Sequence, residues 1–331
     1  MTPAVVFSAA GRVDIDEIAM PPPGPGEVRE LGRYSGVSAG TEGWCLEDKF
    51  TWARTPIPCV PGYQRVGTIE ALGGGVTGLT VGQSVLATLG TWDGPVKPFW
   101  GSHLAAGNTL AAEIYPLAAG IDEIDAAHAV VAQVGFNAAS RIVLGAAGAD
   151  EWVVVYGDGL IGQMAGQAAR ARGARVIVVG HRAARLALVH SADAVVNNHV
   201  ADVREFVKAT TGRETVTAVI DTVQSLACER EYVPLLARGV GQIVYSGFTP
   251  GDVWSDMGLV QRSELTCHHV SGWTRERLEQ TLALMAAGKL RVRPLTTHLV
   301  GFREAVRVWD MIRDKREDFT GVTFDWEGAK R

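Results

Sequence analysis

The segment VVVYGDGLIGQMAGQAARARGARVIVVGHR, from Val153 to Arg182, constrains the fold more than any other part of the 331-residue chain. A β-branched run stops at a glycine-rich turn, a segment rich in alanine follows, and a second apolar run ends in Gly-His-Arg. Two such strands separated by one helix make a βαβ unit, whose strands must be parallel because only a crossover helix joins them. The alternation continues. RAARLALVHS reads as a helix, AVVN as a strand, the segment around Val203–Thr210 as a helix, and TAVIDT as a strand. LACEREYVPLLAR then reads as a helix, and GQIVYSG and LTCHHV as further strands. Repeated alternation predicts an α/β fold with a Rossmann-type, doubly wound parallel sheet.

Within that frame the turn Gly157-Asp158-Gly159-Leu160-Ile161-Gly162 has G-x-G-x-x-G spacing directly between a strand and a helix. Gly157 suits the tight turn, Gly159 lets a pyrophosphate approach the backbone, and Gly162 lets the helix pack closely. Leu160 and Ile161 open the helix, where unpaired N–H groups and a partial positive charge attract phosphate. A dinucleotide is the expected ligand. About twenty residues on, an acid would accept hydrogen bonds from the ribose 2′-hydroxyl of NAD. This chain has Gly180, His181 and Arg182, with Arg185 one turn further. A small residue followed by bases suits a 2′-phosphate, so NADP(H) is expected ahead of NAD(H). Ser246 and Gly247, at the end of a later strand, are expected to pass the nicotinamide.

The rest of the chain is organised differently. The first ~120 residues hold short β-branched runs between Gly/Pro-rich turns, which predicts an irregular β domain. From Asp122 onward, IDEIDAAHAVVAQVGFNAASRIVLGAAGAD has apolar residues at helical spacing behind an acidic start. The tail carries two amphipathic helices, RERLEQTLALMAAG and FREAVRVWDMIRD. Net charge is −5 and no long basic block occurs, which argues against a nucleic-acid partner. No apolar run approaches the ~20 residues that span a bilayer, so no membrane partner is expected. The opening MTPAVVFSAAGRVDIDE has acids where a secretory leader has bases. A cytoplasmic protein acting on a small molecule is expected. Cys45, Cys59, Cys228 and Cys267 show no C-x-x-C spacing and read as reduced thiols.

SGVSAGTEGW (35–44), PCVPGYQRVGTI (58–69), VAQVGFNAASRI (131–142), GDGLIG and THLVGFREAVRVW together resemble the medium-chain dehydrogenase/reductase superfamily of zinc alcohol dehydrogenase descent. The resemblance covers nearly the whole chain. It implies a GroES-like catalytic domain over 1–121, a Rossmann domain over 122–270, a return to the catalytic domain over 271–331, and a homodimer or homotetramer. The departures are informative. Where the family's three catalytic zinc ligands stand, this chain has Ala39, Tyr63 and Val134, and the four-cysteine structural zinc lobe is missing. Zinc takes thiolate, imidazole or carboxylate, so no metal is expected. The chain is similar to a zinc-free branch that includes bacteriochlorophyllide 3-hydroxyethyl dehydrogenases. That similarity does not extend to the tetrapyrrole substrate.

Without a metal, an oxyanion forming on substrate needs a hydrogen-bond donor. Tyr63, at a former ligand position, is the expected donor. Thr41 matches the family's relay hydroxyl, and Glu42 and Gln64 are the neighbouring polar groups. Trp44, Trp52, Trp92 and Trp100 are expected to wall a pocket for a cyclic or sugar-like substrate. His268 and His269 are adjacent on a strand and point to opposite faces, so at most one meets a cofactor. The leading expectation is an oxidoreductase interconverting a secondary alcohol and a ketone. An enoyl- or quinone-type C=C reductase and a non-catalytic NADPH-binding protein remain as alternatives.

Overall fold

A computed structural model of the chain describes residues 1–51, 53–145, 150–247 and 254–329. Two compact units divide it: residues 1–130 with 296–331, and residues 131–295. The chain thus leaves the first unit, builds the second, and returns. Both breaks fall later than the expected 121/122 and 270/271. The acidic segment after Asp122 packs with the first unit, and the helix RERLEQTLALMA stays with the second.

In the first unit the strands are β1 (Thr2–Ala9), β2 (Arg12–Ile18), β3 (Glu27–Gly36), β4 (Cys59–Val60) and β5 (Arg65–Leu72). They are followed by β6 (Ser84–Ala87), β7 (Lys97–Pro98), β8 (Ala106–Leu110) and β9 (Ile114–Pro116). Helix α1 (Ala39–Leu46) follows β3, and α2 (Glu123–Ala126) precedes α3 (Ala129–Arg141), which runs into the second unit. Helix α1 departs from the expected all-β reading: Ala-Gly-Thr-Glu-Gly-Trp-Cys-Leu has two glycines and little helix propensity. Tertiary contacts hold it, since Cys45 and Leu46 belong to the unit's main core with Phe7, Trp309, Phe324 and Trp326.

The second unit continues with β10 (Trp152–Tyr156), α4 (Leu160–Ala171), β11 (Arg175–Gly180), α5 (Ala183–Leu186), β12 (Ala194–Asn197) and α6 (Val203–Thr211). Then come β13 (Ala218–Asp221), α7 (Leu226–Tyr232), β14 (Gln242–Ser246), α8 (Met257–Arg262), β15 (Thr266–Val270) and α9 (Arg275–Ala286). The sheet order is β12-β11-β10-β13-β14-β15, all parallel, as the alternation predicts. Every residue of β10 and β14 is buried, as strands covered on both faces require. Two helices are shorter than the pattern suggests. Only Ala183–Leu186 of RAARLALVHS is α-helical, and α7 gives way to a 3-10 turn at Pro234.

Strands β16 (Thr296–Gly301) and β17 (Gly321–Asp325), with α10 (Ala305–Asp314) between them, complete the first unit. Strand β17 inserts between β16 and β3 in a seven-stranded sheet that also holds β5, β6, β8 and β9. Among the described residues no helix is long and apolar enough to cross a membrane.

Candidate active-site groups in two units

The glycine turn has the geometry its spacing predicts. Gly157 has φ +122°, and a Cβ there would lie 2.0 Å from Thr222 Oγ1. A Cβ on Gly162 would lie 2.1 Å from the Gly157 carbonyl oxygen. Both positions therefore exclude side chains through the fold itself. Gly159 differs: it is the N-cap of α4 with φ −77°, and a Cβ there would meet nothing within 4 Å. The protein does not need glycine at that point, but a phosphate lying against the backbone does. The N–H groups of Leu160 and Ile161 begin the helix beside it. These residues fit a dinucleotide pyrophosphate.

The end of β11 corrects the expected electrostatics. An acid does reach this place, supplied by the turn and not by the strand. Asp158 Oδ2 accepts the N–H groups of His181 and Arg182 at 3.0 and 2.9 Å, and Arg185 Nη1 lies 3.7 Å from Oδ1. Arg185 is therefore drawn to Asp158. The sequence pattern G-x-G hides this, because the middle residue is conventionally unconstrained. Ser246 ends β14 with a buried hydroxyl that has no partner among the described residues, and Gly247 follows at φ +102°. Buried hydroxyls are almost always paired, so Ser246 has a hydrogen bond to offer a ligand. His269 stacks on Tyr245 at 4.9 Å, and His268 Nε2 is buried without a partner.

In the first unit, Tyr63 lies almost wholly buried, with the side chains of Ser38 and Thr41 beside its phenol. Burial, then the charge of Glu42, push its ionisation well above that of free tyrosine. The phenol therefore stays protonated, with an O–H that can donate. Glu42 is fully buried and does not face a substrate. Its Oε1 accepts the Ser38 N–H at 2.8 Å, and its Oε2 lies 2.8 Å from His103 Nε2. His103 Nδ1 is 2.8 Å from Ser35 Oγ, which accepts from Trp326 Nε1 at 2.9 Å. Trp326 can only donate, so the chain of bonds runs from Trp326 through Ser35 and His103 to the Glu42 carboxylate. Ser35, His103 and Glu42 mimic a hydrolytic triad in composition. All three are fully buried, so they brace and do not attack. His103 is a lone histidine in GSHLAA with no motif around it, so its sequence context does not mark it.

Gln64 is likewise a brace and not a reacting group. It is fully buried, with Nε2 on the Gly36 carbonyl at 3.2 Å and Oε1 accepting the Val130 N–H at 3.1 Å.

The expected tryptophan wall divides. Trp100 meets Tyr63 edge to face at 5.2 Å and stacks near Phe99 at 4.4 Å. Its backbone is left-handed, φ +66°, a conformation that strains a bulky residue. Trp44, on α1, packs edge-on to Phe50 at 6.1 Å. Trp92 leaves the candidate site: its indole N–H bonds the Val96 carbonyl at 2.9 Å, and its ring fills a small core with Ala4, Val6 and Leu104. Trp52 lies outside the described residues.

The donor set does not fit the family's zinc. Alanine and valine offer no donor, and Tyr63 is held protonated. The nearby thiols do not replace them, because burial pushes Cys59 up to about 12 and Cys45 higher still, disfavouring thiolate. Among the described residues no three His, Cys, Asp or Glu side chains are grouped to hold a metal.

Residues 161–287 match the model of a family described as zinc-binding dehydrogenase. That match lies wholly beyond positions 39, 63 and 134, so it carries nothing about their chemistry. The chain is 29% identical over 316 residues to an alcohol dehydrogenase of Rhizobium meliloti, covering 88% of this chain and 89% of that one. Among solved structures, it is similar to a Sinorhizobium meliloti zinc-binding dehydrogenase bound to NADP (TM-score 0.83, 19% identity, 98% and 99% covered). It is similar also to an Escherichia coli alcohol dehydrogenase complexed with NADH (TM-score 0.81, 20% identity, 98% and 99% covered). The two-unit fold, the strand–glycine turn–helix geometry and these matches agree: the chain is similar to alcohol dehydrogenases over most of its length and to the zinc-binding dehydrogenase family over residues 161–287.

Proposed function

We propose that this protein is an NADP(H)-dependent oxidoreductase that interconverts a secondary alcohol and a ketone without catalytic zinc. The observation that carries the reading is Tyr63. It replaces a zinc ligand with a phenol kept protonated by burial and by Glu42, beside the side chains of Ser38 and Thr41. A bound nicotinamide supplies the hydride chemistry. Tyr63 donates a hydrogen bond to the substrate oxygen, Ser38 and Thr41 orient the phenol, and Glu42 with His103 fixes α1 beneath it. Trp100 and Trp44 wall the substrate side, in keeping with a cyclic or sugar-like reactant. The similarity to an alcohol dehydrogenase supports this reaction class. A homodimer or homotetramer in the cytoplasm is part of the same proposal.

The cofactor choice rests on Gly180, His181 and Arg182, which place bases and no side-chain acid of β11 at its end. Asp158 favours a second reading, NAD(H), because its carboxylate reaches that end and could accept from a ribose hydroxyl. Titration of tryptophan fluorescence with NADPH and NADH separates them: tighter NADPH binding supports the first reading, and equal or tighter NADH binding removes it. Turnover on a panel of secondary alcohols and ketones tests the reaction. Consumption of enones alone would point to C=C reduction. Cofactor binding without turnover on any substrate would point to a non-catalytic role. One equivalent of zinc in protein purified without chelator would overturn the metal-free mechanism.

A further inference from the structure

The ends of β11 and β12 carry two histidines whose rings lie face to face. The His181 and His199 centroids are 4.7 Å apart with an interplanar angle of 19°, and both residues are exposed. Asn197, the last residue of β12, ties the main chain on both sides of this stack. Its Nδ2 donates to the His181 carbonyl at 3.2 Å, and its Oδ1 accepts the His199 N–H at 2.9 Å. Strands β11 and β12 are parallel neighbours with Gly180 opposite Asn197. Both rings therefore stand at the carboxyl edge of the sheet, where open α/β sheets bind ligands.

A stack of two imidazoles readily holds one proton. An imidazolium is attracted to the face of a neutral aromatic ring, while a second proton meets like-charge repulsion. A phosphate monoester with nearly two negative charges attracts that proton, whereas a ribose hydroxyl does not. Resting on the NADP(H) reading above, we propose that His199, paired with His181, is a specificity-determining residue that recognises the ribose 2′-phosphate, the stack taking up one proton as the phosphate binds.

The surrounding charges permit this. Arg182 and Arg185 lie on the β11 side, and Asp158 is held there by the N–H groups of His181 and Arg182. From α6, packed against β12, come Asp202, which caps the Glu205 N–H, and Glu205 itself. Glu231 of α7 is engaged by Asn198 Nδ2 at 3.1 Å. Asp158, Asp202 and Glu231 each already accept from a backbone or amide donor.

The test measures Kd for NADPH and NADH from pH 6.5 to 8.5 on the full-length protein and on His199→Gln. The ratio of the two affinities cancels effects common to both cofactors. In the wild type, preference for NADPH is expected to grow about 3- to 10-fold as pH falls across this range, the response of a single imidazole-linked proton. In His199→Gln the ratio becomes flat with pH, while NADH binding, which reports an intact fold, stays within about twofold, as an exposed substitution predicts. Calorimetry in two buffers adds a sign: the wild type takes up a proton with NADPH, whereas phosphate binding among fixed cations alone releases the small fraction of a proton that the phosphate still carries. NADPH preference with the same pH slope in wild type and variant overturns the role of the stack and leaves the cofactor reading standing. NADH preference at every pH overturns the cofactor reading and the inference with it.

Discussion

Asp158 occupies the space that a side chain on Gly180 would need. A Cβ at position 180 would lie 2.5 Å from Asp158 Cβ and 2.6 Å from its Oδ2. The turn's acid and the strand's glycine are therefore one device, and neither changes alone. Gly180→Asp, the substitution that would ordinarily install an NAD-type acid, is expected to weaken binding of both cofactors here, because it displaces Asp158 from the N–H groups of His181 and Arg182. Arg182→Ala is expected to weaken NADPH alone, by about 1.5–3 kcal/mol for a lost charge-assisted hydrogen bond. Fluorescence titration of the two variants with both cofactors checks the contrast.

The glycines of the turn separate folding from binding. Gly159→Ala fits the protein, since nothing lies within 4 Å of the new Cβ, yet the methyl stands where a pyrophosphate approaches. Its melting temperature should match the wild type while cofactor affinity falls at least ~10-fold, about 1.4 kcal/mol. Gly162→Ala drives a Cβ to 2.1 Å from the Gly157 carbonyl and should lose stability as well, in the range of about 1–3 kcal/mol for overpacking. A large loss of stability in Gly159→Ala would refute the assignment of that open space to ligand.

Tyr63→Phe removes the proposed donor but keeps the edge-to-face contact with Trp100. We expect kcat to fall about 10²–10³-fold, the usual loss for a donor to a developing oxyanion, with cofactor affinity unchanged. Because burial and the charge of Glu42 raise the Tyr63 ionisation, the wild-type rate profile should show no limb from phenol ionisation up to about pH 10, the range of free tyrosine. A basic limb near pH 10 that vanishes in Tyr63→Phe would contradict this account.

Two buried groups pull the acid stability of the first unit in opposite directions. Glu30, fully buried on Arg65 at 3.0 Å, is raised from 4.5 to about 7 because burial outweighs its partner. Its contribution is therefore present below pH 4.5 and lost as pH rises to about 7. His128 is lowered from 6.5 to about 3, chiefly by burial and then by His103. Its contribution is present above pH 6.5 and lost as pH falls toward 3. Denaturation curves at pH 5 and 8 should show Glu30→Gln gaining on the wild type as pH rises. Arg65→Met removes the charge that lowers the Glu30 ionisation, so the carboxyl stays protonated at neutral pH and the loss with rising pH moves above 7. A Glu30→Gln difference that is the same at both pH values would count against the burial effect.

Much of the second unit is legible in sequence because its strands and helices obey local periods. The run VVVYG, the turn and the alanine-rich segment each specify their own conformation, and the parallel sheet follows from their order. The groups around Tyr63 are less legible. Helix α1 has poor local propensity and exists through its packing, so AGTEGWCL reads as a turn. His103 and Ser35 lie 68 positions apart, and no spacing rule joins them to Glu42. Trp92 and Trp100 look alike in a sequence, but only Trp100 meets Tyr63. Gln64 sits beside Tyr63 in sequence, yet its amide bonds the Gly36 carbonyl and the Val130 N–H.

The insertion of β17 beside β3 has a consequence for how the protein is made. Translation finishes the second unit while the seven-stranded sheet of the first still lacks β16 and β17. During that interval the Tyr34–Gly36 end of β3, which β8 does not cover, exposes its hydrogen-bonding edge to the crowded medium near the ribosome. Synthesis of residues 296–325 thus closes a window of aggregation, and agents that stall the ribosome before that stretch should trap a chain that has its second unit but precipitates.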